Sequence, residues 1–358
     1  MYQTGDKFKV TVFGQSHSAE IGATIEGLPA GFKPDMEKIY AFMERRAPGR
    51  DRFSTTRKEA DIPEFVSGLV NGVTCGAPVT AVIRNKDQKS GDYDKLKVVP
   101  RPGHADYTAY MKYGGNNDIR GGGQFSGRMT APICIAGALA MQILEEKGIY
   151  IGAHIDSIYN VKDDRFTPTN ISKELLDEIK AKDFPVLNDF AKVKMEAEID
   201  RARENLDSVG GVIECAIIGL PVGIGGPLFE GIEGTISQNI FAVPAVKGIE
   251  FGTGFDATKM YGSENNDCFY FDGDAVKTRT NNAGGILGGI SNGMPLIFRV
   301  AMKPTPSISK EQETVNLKTK TAEKLVVGGR HDPCIVKRAV PVIEAVAAIS
   351  ILNMLDNN

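Results

Sequence analysis

The chain has 358 residues, 42% hydrophobic and 24% charged, with a net charge of −3 and a pI near 5.9. These values belong to a globular protein and carry no general pull toward nucleic acid or a membrane surface, so any basic site has to be local. The five cysteines (Cys75, Cys134, Cys215, Cys268, Cys334) are odd in number and far apart, with no CxxC pair and no zinc spacing; with no visible signal peptide, a reduced cytoplasmic compartment is expected.

Residues 7–13 (KFKVTVF) alternate and predict a strand ending at Gly14, and residues 21–25 predict the next. Residues 35–46 predict a helix, with Met36, Ile39, Tyr40 and Met43 on one stripe and Asp35 as its N-cap after Pro34. The helix runs into RRAPGRDRF, a basic loop broken by Pro48 and Gly49. Strands follow at 64–69 and 79–84. Residues 130–146 are apolar all round and predict a buried central helix that stops at Gly148. The apolar run 131–144 within it is interrupted by Gln142 and too short to span a bilayer. Amphipathic helices are predicted at 172–182 and 189–206, strands at 212–218 and 296–301, a polar mobile loop at 303–328, and an apolar C-terminal helix from Pro341 to Leu355. Strands come in runs instead of alternating with helices. That predicts the α+β class with antiparallel sheets, in a single large domain over residues 1–358.

The 40 glycines are concentrated at 114–127, 219–234 and 284–293. Such loops let backbone approach a ligand closely. No GxxxxGK[ST] loop is present, and NNAGGILGG at 281–289 does not match a dinucleotide-binding GxGxxG. His17, His104 and His331 lie in loops punctuated by Gly or Pro, each near an acid or an arginine, a setting for general acid chemistry. His154 has no such setting and reads as structural. Arg45, Arg46, Arg50, Arg52, Arg101, Arg120, Arg128 and Arg330 fall in or beside the same loops, where guanidinium forks suit a multiply charged small anion. KPTPS at 303–307 adds a lysine and two hydroxyls. Asp6, Asp51 and Asp61 show no spacing that demands a metal. The residues alone imply an enzyme acting on a small anion; their spacing does not specify the reaction.

Seven segments, in one order and almost end to end, resemble the chorismate synthase family: FGQSHSAEIGATIEGLPAG, RRAPGRDRFSTTRKEAD, RPGHADYTAYMKYGGNNDIRGGGQFSGRMTAP, DSVGGVIEC, AVKGIEFGTGF, NNAGGILGGISNGMPLIFRVAMKPTPSI and GRHDPCIVKRAVPVIEAV. The resemblance implies a β-α-β sandwich, with central helices between antiparallel sheets, in a homotetramer. It implies a lyase of the shikimate pathway that converts 5-enolpyruvylshikimate 3-phosphate to chorismate and phosphate by anti 1,4-elimination with reduced FMN. NADPH is the candidate reductant in members that make their own reduced flavin. No nucleic acid or membrane partner is implied.

By the same resemblance, His104 protonates near the leaving phosphate, His17 lies near the reduced flavin and protonates it, and Asp332 is the acid implicated in removing the ring proton by way of the flavin. FMN contacts fall on Gln124, Phe125, Ser126, Gln238, Asn239, Gly288, Lys303, Pro304, Thr305, Pro306, Ser307 and Arg330. Arg46 and Arg52 match positions assigned to NADPH or to substrate, and Arg101 and Arg128 match substrate-binding arginines. Ser18 stands where the family has glycine. If that position needs a positive φ, Ser18 costs roughly 1 kcal/mol and disturbs His17. QFS replaces the common RSS, and Lys337 stands where proline is common.

Overall fold

The computed structural model describes residues 2–49, 53, 60–85, 95–328 and 331–355. Two antiparallel sheets enclose a helical layer. The first sheet runs Gln3–Thr4, Lys9–Gly14, Glu20–Glu26, Val79–Arg84, Glu64–Ser67 in spatial order. The second runs Val246–Phe251, Leu296–Met302, Gly211–Ile218, Tyr150–Ile158, Val161–Lys162.

Thr130–Glu146 packs against the first sheet and Val336–Leu355 against the second, and the two helices pack on each other. This is the expected sandwich, and it explains why both helices are apolar on every side: each has a sheet on one flank and a helix on the other. They are long and apolar enough to cross a membrane, but 89% and 83% of their apolar windows are buried in the protein, as in core helices. Their close crossing depends on Gly137, where a Cβ would stand 2.2 Å from the Ala345 Cβ.

The helix predicted after Pro34 is Met36–Arg46, with the Asp35 carboxylate accepting from the Lys38 amide at 3.1 Å. Its last two residues diverge. Arg45 forks onto the fully buried Glu344 of the C-terminal helix at 2.6 and 3.0 Å. Arg46 turns the other way, into a cavity.

Two expectations are corrected. The C-terminal helix begins at Val336 and carries Pro341 inside it; burial of the surrounding apolar face outweighs one missing backbone donor. Within 303–328, Gln312–Asn316 pairs with Thr321–Leu325 as a hairpin. Leu325 and Val327 pack there with Leu96, Val99 and Ile119, a small core that the polar composition conceals.

Candidate active site

Arg120–Phe125 coils tightly, with φ of 59°, 83° and 54° at Gly121, Gly122 and Gly123. An L side chain rarely adopts that run of angles, and at Gly121 and Gly123 it would also collide. A Cβ on Gly121 would stand 2.3 Å from the His17 Cε1, and one on Gly122 3.1 Å from the His104 Nε2. The glycine backbone therefore passes between the two histidines and seats both. The Gly123 carbonyl accepts from the Ser16 amide at 3.1 Å, tying the seat to the turn that carries His17. Ser126 then accepts from the Arg128 amide at 3.3 Å and leads into the central helix.

A cavity of about 850 Å³ opens here. His17, His104 and Asp332 line it, as do Arg46, Arg101, Arg128, Gln124, Phe125, Ser126, Lys303, Thr305, Pro306 and Ser307. One wall is the largely apolar segment 241–246. His331, Lys247 and Arg338 also border it.

The arginines in the wall are held, not free-swinging. Arg101 grips the buried Asp106 with Nε at 2.7 Å and Nη2 at 2.8 Å, while its Nη1 donates to Ser307 at 3.2 Å. The Arg101 backbone amide also donates to Asp106, at 3.0 Å, and the His104 Nδ1 lies 2.6 Å from its Oδ1. Burial opposes ionisation of Asp106, but hydrogen bonds from Arg101 and His104 outweigh it and hold the carboxyl well below its usual range. Arg46 and Arg128 share the carboxylate of Asp61. Lys303 donates to the Gly103 carbonyl, and burial, with nearby Lys247, lowers its pKa. Burial likewise lowers the pKa of His331, whose Nε2 lies 3.1 Å from the Gly328 carbonyl. Asp332 accepts from Arg338 at 2.7 Å, and Arg338 also reaches the Arg46 carbonyl at 3.1 Å.

Other expected residues lie elsewhere in this chain. Gln238 is exposed on the Ile232–Ile240 helix, and Asn239 bonds Thr4 at 2.6 Å and Ser350 at 2.9 Å. Gly288 sits at the turn of the 286–291 hairpin, and Pro304 is absent from the cavity lining although its neighbours are in it. Arg52 and Arg330 fall outside the described residues. Arg120 is exposed and paired with Asp118, so the two arginines flanking the glycines do different work.

Ser18 overturns its expectation. It is not among the residues with positive φ. Its hydroxyl accepts from the Gln15 amide at 2.9 Å and lies within donating reach of the Gln15 and Glu20 carbonyls, at 2.8 and 2.6 Å. Serine here closes the turn instead of straining it. Asp106, Arg338 and Lys247 were not singled out from the sequence, and Asp61 was weighed only as a metal ligand and set aside. Only Asp106 left a usable signal, two residues after His104 in RPGHAD.

A family model described as chorismate synthase matches residues 8–355. A chorismate synthase of Lancefieldella parvula is 46% identical over 98% of this chain and 95% of its own length. Those of Methanocaldococcus jannaschii and Thermococcus gammatolerans are 44% and 46% identical, over 98% of this chain and 95% and 96% of their own lengths. A crystal structure of a chorismate synthase superposes with a TM-score of 0.75 at 27% identity, over 99% of this chain and 93% of the other.

Proposed function

The chain belongs to the chorismate synthase family, and on that premise we propose that it converts 5-enolpyruvylshikimate 3-phosphate to chorismate and phosphate by an anti 1,4-elimination that requires reduced FMN. It is a carbon–oxygen lyase acting on a phosphate ester, at the chorismate-forming step of the shikimate pathway. The observation that carries the mechanism is the Asp106–His104–Arg101 cluster, facing a cavity that His17 and Asp332 also line.

The Nδ1 of His104 is engaged by Asp106, so Nε2 is the atom that delivers a proton to the departing phosphate oxygen. Arg101, fixed by the same carboxylate, stabilises the charge that develops there. Arg46 and Arg128 hold the substrate's remaining oxyanions. Asp332 takes up the ring proton, with Arg338 fixing the orientation of its carboxylate.

The residues present fit a flavin beside the substrate. The volume lies in the upper range for small-molecule sites, the segment 241–246 supplies an apolar stretch of lining that planar ligands favour, and residues 124–127, Lys303 and Ser307 add polar groups to the same lining. Gln124, Phe125, Ser126, Lys303, Thr305, Pro306 and Ser307 would hold it, with His17 as the proton donor on its side. When bound there, reduced FMN would supply reversible electron donation to the substrate, with no net oxidation.

The enzyme is cytoplasmic and works as a homotetramer. Support for assembly comes from the apolar tip where Leu228 and Phe229 are 88% and 98% exposed, together with the exposed Phe255 and Phe271. Support for the compartment comes from five free thiols, three of them buried in the core.

The test is anaerobic: pure protein, photoreduced FMN and 5-enolpyruvylshikimate 3-phosphate, with chorismate and phosphate followed together. Equal amounts of both, dependent on reduced flavin, are expected. Phosphate without chorismate would mean hydrolysis and would overturn the elimination.

A further inference from the structure

Asp61 is 2% exposed and has a φ of 51°. A non-glycine residue in that conformation stores backbone strain, which persists where the surroundings impose it. Among the described residues, those surroundings include two guanidinium groups. Oδ2 accepts from the Arg46 Nη1, and Oδ1 from the Arg128 Nη1. The two arginines are only 3% and 5% exposed, and both line the cavity.

The network extends beyond the trio. Arg46 donates Nε to the Thr130 hydroxyl at 3.2 Å and Nη2 to the Gly127 carbonyl at 3.0 Å. Arg128 donates Nε to the Asn85 Oδ1 at 3.1 Å. Asn85 in turn donates its side-chain amide to the Ser18 carbonyl at 2.8 Å and its backbone amide to the Ala19 carbonyl at 3.0 Å. That turn carries His17.

Among the described residues, two guanidiniums, those of Arg46 and Arg128, meet the one Asp61 carboxylate at this point of the wall. Buried charge is costly unless compensated, and both guanidiniums border the cavity. Burial opposes ionisation of Asp61, yet Arg46 and Arg128 hold its pKa below the ordinary value.

We infer that Asp61 is a positioning residue that locks Arg46 and Arg128 into one oxyanion clamp, kept in register with His17 through Asn85. The inference rests on the proposed elimination, in which the clamped group is an oxyanion of the substrate. Removing the Asp61 charge has two opposite consequences. The wall becomes more positive, so an anion binds at least as well. The two arginines lose their common anchor, so the anion no longer sits where the proton donors need it. Turnover and affinity should therefore part company.

The experiment uses the full chain with D61N, D61E and N85A. Inorganic phosphate is titrated by calorimetry, and turnover is measured anaerobically with reduced FMN. D61N should bind phosphate about threefold tighter or more at low ionic strength, with the gain fading in high salt. Its kcat should fall roughly 10- to 100-fold with no rise in KM. D61E should return phosphate affinity to the parent value and recover part of the turnover, which loss of packing alone does not explain. N85A keeps the trio and should lower kcat several-fold at unchanged phosphate affinity; it carries the test if D61N does not fold. Weaker phosphate binding by folded D61N, or parental kcat in D61N or N85A, overturns the clamp. If the parent chain makes no chorismate, the proposed function falls, while the phosphate titrations still read the clamp without turnover.

Discussion

The Asp106 carboxylate stands 2.6 Å from the His104 Nδ1 while its other contacts are to Arg101. One buried acid thus sets the ring nitrogen that faces the cavity and the guanidinium beside it. Asp106→Asn keeps the shape but leaves two donors facing an amide. We expect kcat to drop about 100-fold with FMN binding retained. Flavin titration beside single-turnover kinetics reads both, and parallel loss of flavin binding would show a packing role instead. His104→Ala should also cut turnover with FMN still bound.

Asp332 is held by Arg338 at the cavity wall. Asp332→Ala removes the proposed proton acceptor and should lower kcat by about 100-fold with little change in KM. Steady-state kinetics at saturating flavin checks this. A higher KM at unchanged kcat would make Asp332 a binding residue.

Gly121 has no room for a methyl group, since its Cβ would stand 2.3 Å from the His17 ring at a φ of 59°. Gly121→Ala has to displace His17 or break the coil. Expected are a loss of about 2 kcal/mol in stability and near-complete loss of activity. Chemical denaturation and turnover measure the two. Parental values in both would mean that the coil yields freely.

Ser18→Gly restores the residue that is common in the family, yet it removes the hydroxyl contacts to Gln15 and Glu20. The variant should be less stable by about 1 kcal/mol, not more stable. Urea unfolding decides the sign.

His154 gives the fold a pH dependence. It is fully buried between Asp163 at 3.2 Å and Glu214 at 3.0 Å. Burial alone would lower its pKa, but the two carboxylates outweigh burial and raise it to about 9. A folded value above the unfolded value near 6.5 means that the contribution is complete below about pH 6.5 and lost as pH rises through about 9. The shift corresponds to at most about 3 kcal/mol. Melting temperature should fall between pH 7 and 10 in the parent, and the fall should flatten in His154→Gln. Equal slopes in both chains would refute the assignment.

Periodicity located the Met36–Arg46 and Thr130–Glu146 helices because hydrophobic spacing is a local property of the chain. The resemblance carried by ordered motifs brought out residues that meet in the cavity, including His17, His104, Asp332, Arg46 and Arg128. Sequence could not say which partner each charge would take. Arg45 and Arg46 are adjacent and chemically identical, yet one is spent on Glu344 and the other on Asp61. Asp61 was unremarkable in sequence because its two arginines lie 15 and 67 residues away. Ser18 looked like a defect because φ at that position is set by the turn around it. Local pattern is written in neighbouring residues, whereas ion pairing, burial and backbone angle depend on which distant segments packing brings together.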